Sequence, residues 1–245
     1  MSEQLRVLAI EAARRGAAVC LRQWGEPVEV HTKSAAGDVV TTVDRAAEEA
    51  VRVMLLDARP DDGVLGEELA EHVGAGPVQW VVDPLDGTTN YTRRIPYFAT
   101  AVAARSTVDG GWLAGAVCAP ALGIVWSAAK SLGALADSGS GGQPLPLAMV
   151  QSSARLIGTG LSYDPSHRRR QVRELGALMT DYTDMRRFGA AAIDLCLVAQ
   201  GSLDAFVEDD LAVHDWAAGA LIAEEAGVRV SRPAGCDTVL SAFWS

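Results

Sequence analysis

The chain has 245 residues, 49% of them hydrophobic and 21% charged, enough to bury a core in one large domain or two closely packed halves. Its formal net charge of −10 argues against nucleic acid or an anionic membrane as partner, but not against an anionic substrate where divalent cations reverse the local field. Cys20, Cys118, Cys196 and Cys236 form no Cys-x-x-Cys pair and the four histidines lack zinc spacing, so no structural zinc is expected and the thiols read as reduced packing residues.

Met1-Ser2-Glu3-Gln4 has no basic lead into an apolar core, and no apolar run reaches the roughly 18 residues of a membrane span, so a cytoplasmic protein is expected. From Glu3 to Trp24, Leu5, Leu8, Ala9, Ala12, Val19 and Leu21 recur at near-helical spacing and predict an amphipathic helix. Lys33 to Asp38 reads as a polar loop, Val39 to Val43 as a β-branched strand, and Asp44 as the cap of a helix over Arg45 to Ala58. A turn at Asp57 to Gly63 leads through Val64-Leu65 into Gly66-Glu67-Glu68.

Trp80-Val81-Val82 is predicted as a buried strand stopping at Asp83-Pro84, with further strands at Tyr97–Arg105, Trp112–Cys118 and Gly123–Ala128. The Gly-, Ser- and Pro-rich stretch from Asp137 to Pro146 is the expected boundary between halves 1–140 and 145–245. Beyond it come a strand at Arg155–Gly160, a charged helix at Pro165–Tyr182 and an apolar helix at Ala190–Gln200. A strand at Leu203–Val207 and a helix from Trp216 to Glu225, ended by Gly227, complete the pattern. Mixed strands and helices with hairpins point to layered α and β structure.

Four carboxylates stand at ends of predicted elements: Glu67, Asp83, Asp86 and Asp215. Hard cations such as Mg²⁺ take oxygen ligands, commonly carboxylates with waters and a substrate phosphate. Asp83 and Asp86, separated by stiff Pro84, can aim at one point while leaving the Leu85 carbonyl as a further ligand. Gly87 permits an unusual backbone angle, and the N–H groups beginning at Thr88 and Thr89 can hold a phosphate. Any one of these aspartates alone would be an ordinary turn residue. The complete string Asp83-Pro84-Leu85-Asp86-Gly87-Thr88-Thr89-Asn90 is far more specific.

That octapeptide, with Gly66-Glu67-Glu68 upstream, resembles the first signature of the inositol monophosphatase family. His214-Asp215-Trp216-Ala217-Ala218-Gly219, followed by Ala223 to Gly227, is similar to the second, and the likeness covers nearly the whole chain. The resemblance implies a single catalytic domain with an α+β fold, a layered α-β-α-β-α sandwich, and Mg²⁺-dependent hydrolysis of a small phosphorylated polyol. Inositol monophosphate is preferred; a broader sugar- or histidinol-phosphate phosphatase is the alternative, and a non-catalytic binding protein on the same fold a third. It implies two to three Mg²⁺ ions: one at Glu67, Asp83 and the Leu85 carbonyl, a second at Asp83, Asp86 and Asp215, a third held by Glu67 with waters. Thr88 with Glu67 would orient the attacking water, and Asp44 would hydrogen-bond Thr88. Inhibition by Li⁺ and Ca²⁺ and a homodimer follow from the same likeness.

For substrate binding the resemblance points to Asp86, Gly87, Thr88, Gly189, Ala191, Glu208 and Lys33, with Glu208 accepting hydrogen bonds from polyol hydroxyls. Residue types alone leave alternatives open. Asp44 and Asp215 also suit helix caps, Lys33 also suits a solvated surface, and His167-Arg168-Arg169-Arg170 with Arg173 reads as a solvated helix face. Ala190 stands where many members have Ser or Thr, and His214 where Trp is usual. Arg229 to Ser245 lacks most of the family's closing turns, so the last strands are uncertain from sequence.

Overall fold

The computed structural model describes residues 2–27, 29–32, 39–147, 153–234 and 238–244. Lys33, its loop and Cys236 therefore lie outside the described residues. Helix α1 (Ser2–Gln23) buries Leu5, Ala9, Ala12, Ala13, Gly16 and Ala17 along one stripe. Strands β1 (Val30–Thr32) and β2 (Val39–Thr41) pair antiparallel and lead into α2 (Thr42–Ala58).

Asp44 was expected as the cap of α2, but the cap is Thr41. The Thr41 hydroxyl accepts from the Val43 N–H at 3.1 Å, and Asp44, inside the first turn, accepts from the Thr41 N–H at 2.8 Å. The Thr-x-x-Asp spacing is a capping box, in which the acid satisfies the cap's own backbone donor.

The first sheet has the order β3-β4-β5-β6-β7-β8-β9, built from β3 (Gly63–Gly66), β4 (Val78–Asp86), β5 (Ala99–Ser106), β6 (Trp112–Ala119), β7 (Ile124–Ala129), β8 (Ala134–Asp137) and β9 (Gln143–Pro144). Only β3 and β4 run parallel. The short helix α3 (Thr88–Thr92) follows β4. Successive residues face opposite sides: Trp80, Val82, Val102 and Ala104 pack under α1 and α2, while Val81, Ala101 and Ala103 join the core on the other face. Because both faces are covered, these strands read as continuous apolar runs.

The strand expected to stop at Asp83-Pro84 continues to Asp86, with a register shift between Asp83 and Asp86. A proline cannot donate to the ladder, so the pairing with β5 skips across Pro84 and resumes at Asp86–Ala99. The stretch expected as a boundary holds the last residue of β8 and all of β9, both in the first sheet, and passage to the second sheet falls after Pro144.

The second sheet has the order β11-β10-β12-β14-β13, from β10 (Leu156–Thr159), β11 (Asp184–Arg186), β12 (Ala205–Asp209), β13 (Arg229–Ser231) and β14 (Val239–Phe243). The closing strands left uncertain by sequence thus form, β14 pairing with both β12 and β13. Helix α4 (Pro165–Leu178), four residues shorter at its end than expected, links β10 to β11, and α5 (Ala191–Gln200) links β11 to β12. Those parallel crossovers run in opposite directions along the sheet, so right-handed connections place α4 and α5 on opposite faces. Helix α5 and α6 (Val213–Glu225) fill the space between the two sheets. They cross closely: a Cβ at Gly219 would lie 2.8 Å from Leu195 Cβ. The result is the expected α+β layering, α1/α2, sheet, α5/α6, sheet, α4.

Candidate active site

The carboxyl end of β4, the end of β3 and the N-termini of α5 and α6 meet at one cleft of ≈590 Å³. Glu67, Asp83, Leu85, Asp86 and Asp215 all line it, with Gly87, Thr88, Gly189, Ala191 and Glu208. Asp44 stands behind this lining: Thr88 Oγ1 lies 3.1 Å from Asp44 Oδ1 and 2.9 Å from the Leu85 carbonyl oxygen. A hydroxyl carries one proton, so Thr88 donates to one of these acceptors and keeps its lone pairs for a donor in the cleft. Gly87 has φ 89° and a Cβ there would meet the Tyr97 carbonyl at 2.9 Å, so glycine is required on both counts.

Asp83 and Asp86 are buried, yet each has one backbone donor: Leu85 N–H to Asp83 at 3.0 Å and Ala192 N–H to Asp86 at 2.8 Å. The second bond caps α5, whose own cap residue Ala190 supplies no side-chain oxygen. Burial raises the Asp83 carboxyl well above the usual range, with Glu67, Asp86 and Asp215 adding to the effect. Asp86 is raised by burial first and then by Asp215. Burial likewise lifts Asp44 to about 6, against the hydrogen bonds from Thr41. Asp215 sits in the first turn of α6 and accepts from the Ala212 N–H at 2.6 Å, so Ala212 rather than Asp215 is the cap position.

Among the described residues, no three carboxylate, imidazole or thiol side chains converge tightly enough to hold a cation as they stand. Asp83, Asp86 and Asp215 each accept from a backbone N–H. The donor set nonetheless suits a hard divalent ion: it is all oxygen, it is partly buried, and its negative charge has no lysine or arginine partner at Asp83 or Asp86 among the described residues. His214 is the unusual neighbour, with Nε2 3.8 Å from Glu67 Oε2 and 3.7 Å from Asp215 Oδ1.

The opposite wall comes from the second sheet. Glu208, expected just after a strand, lies within β12 opposite Leu240, and burial pushes its carboxyl up to about 8, aided by Asp194 and opposed by Arg187. Arg187 is the one cation among the described lining residues. Sequence reading missed it, and it missed Tyr163, whose hydroxyl is 3.1 Å from Thr89 Oγ1 across the cleft mouth. Asn90 ties the two walls together, its amide donating to the Tyr97 carbonyl at 2.9 Å and the Phe188 carbonyl at 2.8 Å. Its place at the end of the octapeptide was the available signal. The His167–Arg173 run lies on α4, where His167 Nε2 is 2.6 Å from Asp209 Oδ2 and Arg169 and Arg173 are exposed.

Known proteins resemble the chain over nearly its whole length. The model of the inositol monophosphatase family matches residues 1–243. The chain is 42% identical to an inositol-1-monophosphatase of Mycobacterium leprae, over 94% of this chain and 84% of that protein. It is 34% identical to the Nus factor SuhB of Salmonella typhimurium, over 91% and 83%. Among solved structures, SuhB of Bartonella henselae superposes with a TM-score of 0.88 at 32% identity, covering 98% of this chain and 93% of that one. Mycobacterium tuberculosis SuhB gives 0.82 at 38%, covering 98% and 91%.

Proposed function

The chain belongs to the inositol monophosphatase family and is a phosphoric monoester hydrolase; from that premise we propose that its cleft hydrolyses a small phosphorylated polyol, inositol monophosphate first, in a Mg²⁺-dependent reaction. The observation that carries this reading is the pair of buried aspartates, 83 and 86, at the end of β4 with acidic neighbours and no basic partner among the described residues. Glu67, Asp83, the Leu85 carbonyl, Asp86 and Asp215 are the residues that would hold two to three ions. Bound there, divalent cations lower the pKa of water and neutralise phosphoryl oxygens.

The chain's own groups supply the rest. With its proton committed to Asp44 or to the Leu85 carbonyl, Thr88 accepts a hydrogen bond from the attacking water, and Glu67 takes the second. That fixes the water's lone pair toward phosphorus. The backbone N–H groups of Gly87 and Thr88 face the phosphoryl oxygens, and Glu208 pairs with hydroxyls of the alcohol. The P–O bond to the alcohol breaks as the water oxygen attaches; the water sheds one proton to solvent and the departing oxygen takes one up from solvent, so no covalent enzyme intermediate is required. Because the ligand set runs from Glu67 to Asp215, both halves work as one catalytic domain. A homodimer in the cytoplasm belongs to the same reading.

Phosphate release measured over inositol 1-phosphate, sugar phosphates, histidinol phosphate and an aryl phosphate, with Mg²⁺ and with excess chelator, tests the proposal. Expected is release that requires Mg²⁺ and is greatest with inositol 1-phosphate; full turnover in chelator would sink it. The relative named a Nus factor motivates a second reading, a binding role on the same fold. Silence across the whole panel with Mg²⁺ present would favour that reading.

A further inference from the structure

We infer that Glu48, one turn beyond Asp44 on α2, is the positioning residue for Glu67, so that a single helix sets both groups that orient the attacking water. Glu48 is fully buried. Its Oε2 accepts from the Glu68 N–H at 2.7 Å and its Oε1 from the Leu69 N–H at 3.2 Å, the two amides that directly follow Glu67. Arg52, one further turn along, donates to Oε1 at 3.1 Å and balances the charge. On the other side of Glu67, a Cβ at Gly66 would fall 1.9 Å from Glu48 Oε1, so the carboxylate fills the space that any other residue would need. Glu67 is thus bracketed: its preceding residue packs on the Glu48 carboxylate and its two following amides hydrogen-bond to it.

Residues four apart lie on one helix face, within about 6 Å of each other. Asp44 reaches Thr88 from the end of β4, and Glu48 reaches the backbone around Glu67 at the end of β3. Sequence separation between Glu67 and Thr88 is bridged by α2, which holds Thr88 through Asp44 and the residues flanking Glu67 through Glu48. A charged acceptor makes the stronger hydrogen bonds needed for such a grip, and burial protects them from water. Glutamine cannot replace it: the amide offers one acceptor oxygen, and its NH₂ would face a backbone N–H.

The inference rests on the cation reading of Glu67, and the experiment separates the two. Mg²⁺ is titrated calorimetrically into the full chain and into Glu67→Gln, Glu48→Gln and Asp62→Asn. Asp62 is an equally buried acid, paired with Arg59 and with Trp80 Nε1 at 3.0 Å, that does not line the cleft. Glu48→Gln is expected to weaken Mg²⁺ binding about tenfold or more and to lower kcat with KM little changed. Asp62→Asn is expected to lower the melting temperature while leaving Mg²⁺ affinity intact. Amide hydrogen exchange on the unmodified protein gives a readout that needs no variant: Glu68 and Leu69 should be protected. Wild-type Mg²⁺ affinity in Glu48→Gln, beside a loss in Glu67→Gln, overturns the inference, as does rapid exchange at those two amides. Undiminished Mg²⁺ affinity in Glu67→Gln brings down the cation reading itself, and this inference with it.

Discussion

At one end of the cleft Asp83 and Asp86, with Asp44 and Glu48 behind them, are buried, and each is hydrogen-bonded to backbone or to a neighbouring side chain. At the other end, Tyr163, Asp164, Arg187 and Asp210 are exposed, and Asp210 adopts a left-handed φ of 72°. The first end is set by a strand terminus and a helix face; the second by the segments that follow β10, β11 and β12. Rigid elements hold reacting groups in place, whereas loops change residue by residue without disturbing the core. Under the proposed function, the difference teaches that variants at the two ends should separate phosphoryl chemistry from the choice of alcohol.

The largest expected effect breaks the buried end outright. Asp83→Asn removes a carboxylate shared between the proposed cation positions, and kcat should fall by at least about a hundredfold on every substrate. Cys118→Ser, buried but away from the cleft, should change little; comparable losses in both would mean that the assay reports folding.

Thr88→Ala comes next. Losing the acceptor for the water should lower kcat roughly a hundredfold while KM stays near its original value. A change confined to KM would move Thr88 from water orientation to binding.

On the wall opposite the aspartates, where β12 carries it beside the loops, Glu208→Ala should cost about 10–100-fold in kcat/KM with inositol 1-phosphate and almost nothing with an aryl phosphate lacking hydroxyls. Measuring both substrates sharpens the comparison, since equal losses would tie Glu208 to the cations or the fold.

The smallest effect concerns a group lying between the two ends. Asp194 on α5 accepts from the Tyr97 hydroxyl at 2.6 Å, and burial raises its carboxyl to about 7. A carboxyl raised on folding costs no stability below its unfolded pKa of about 4, costs progressively more as pH rises to about 7, and the cost is complete above that. Asp194→Asn keeps an acceptor for Tyr97 without the charge. Its melting temperature should exceed wild type by on the order of 5 °C at pH 8 and match it near pH 4. A constant offset across that range would assign the effect to packing.

Legibility in the sequence divided along the same line. The octapeptide stood out because two aspartates, a proline and a glycine fall within a few positions, and Glu67 and Asp215, singled out by the family resemblance, line the same cleft. Helix α1 was readable from its period, and the apolar strands from continuous apolar runs bounded by turn residues. What escaped were features set by contacts distant in sequence. The continuation of β4 past Pro84 depends on its partner β5. Glu48 meets its partners 20 and 21 residues away, and nothing in its immediate neighbours marks it. Arg187 faces the cleft only because β11 and α5 turn it there, and the closing strands exist because β12 offers them an edge.

The far margin of the seven-stranded sheet carries a consequence for association. It ends in β9, two exposed residues, one of them Pro144. A proline presents no N–H, and two residues are too few to template an incoming strand. That margin is therefore a poor template for a strand from another copy of this chain.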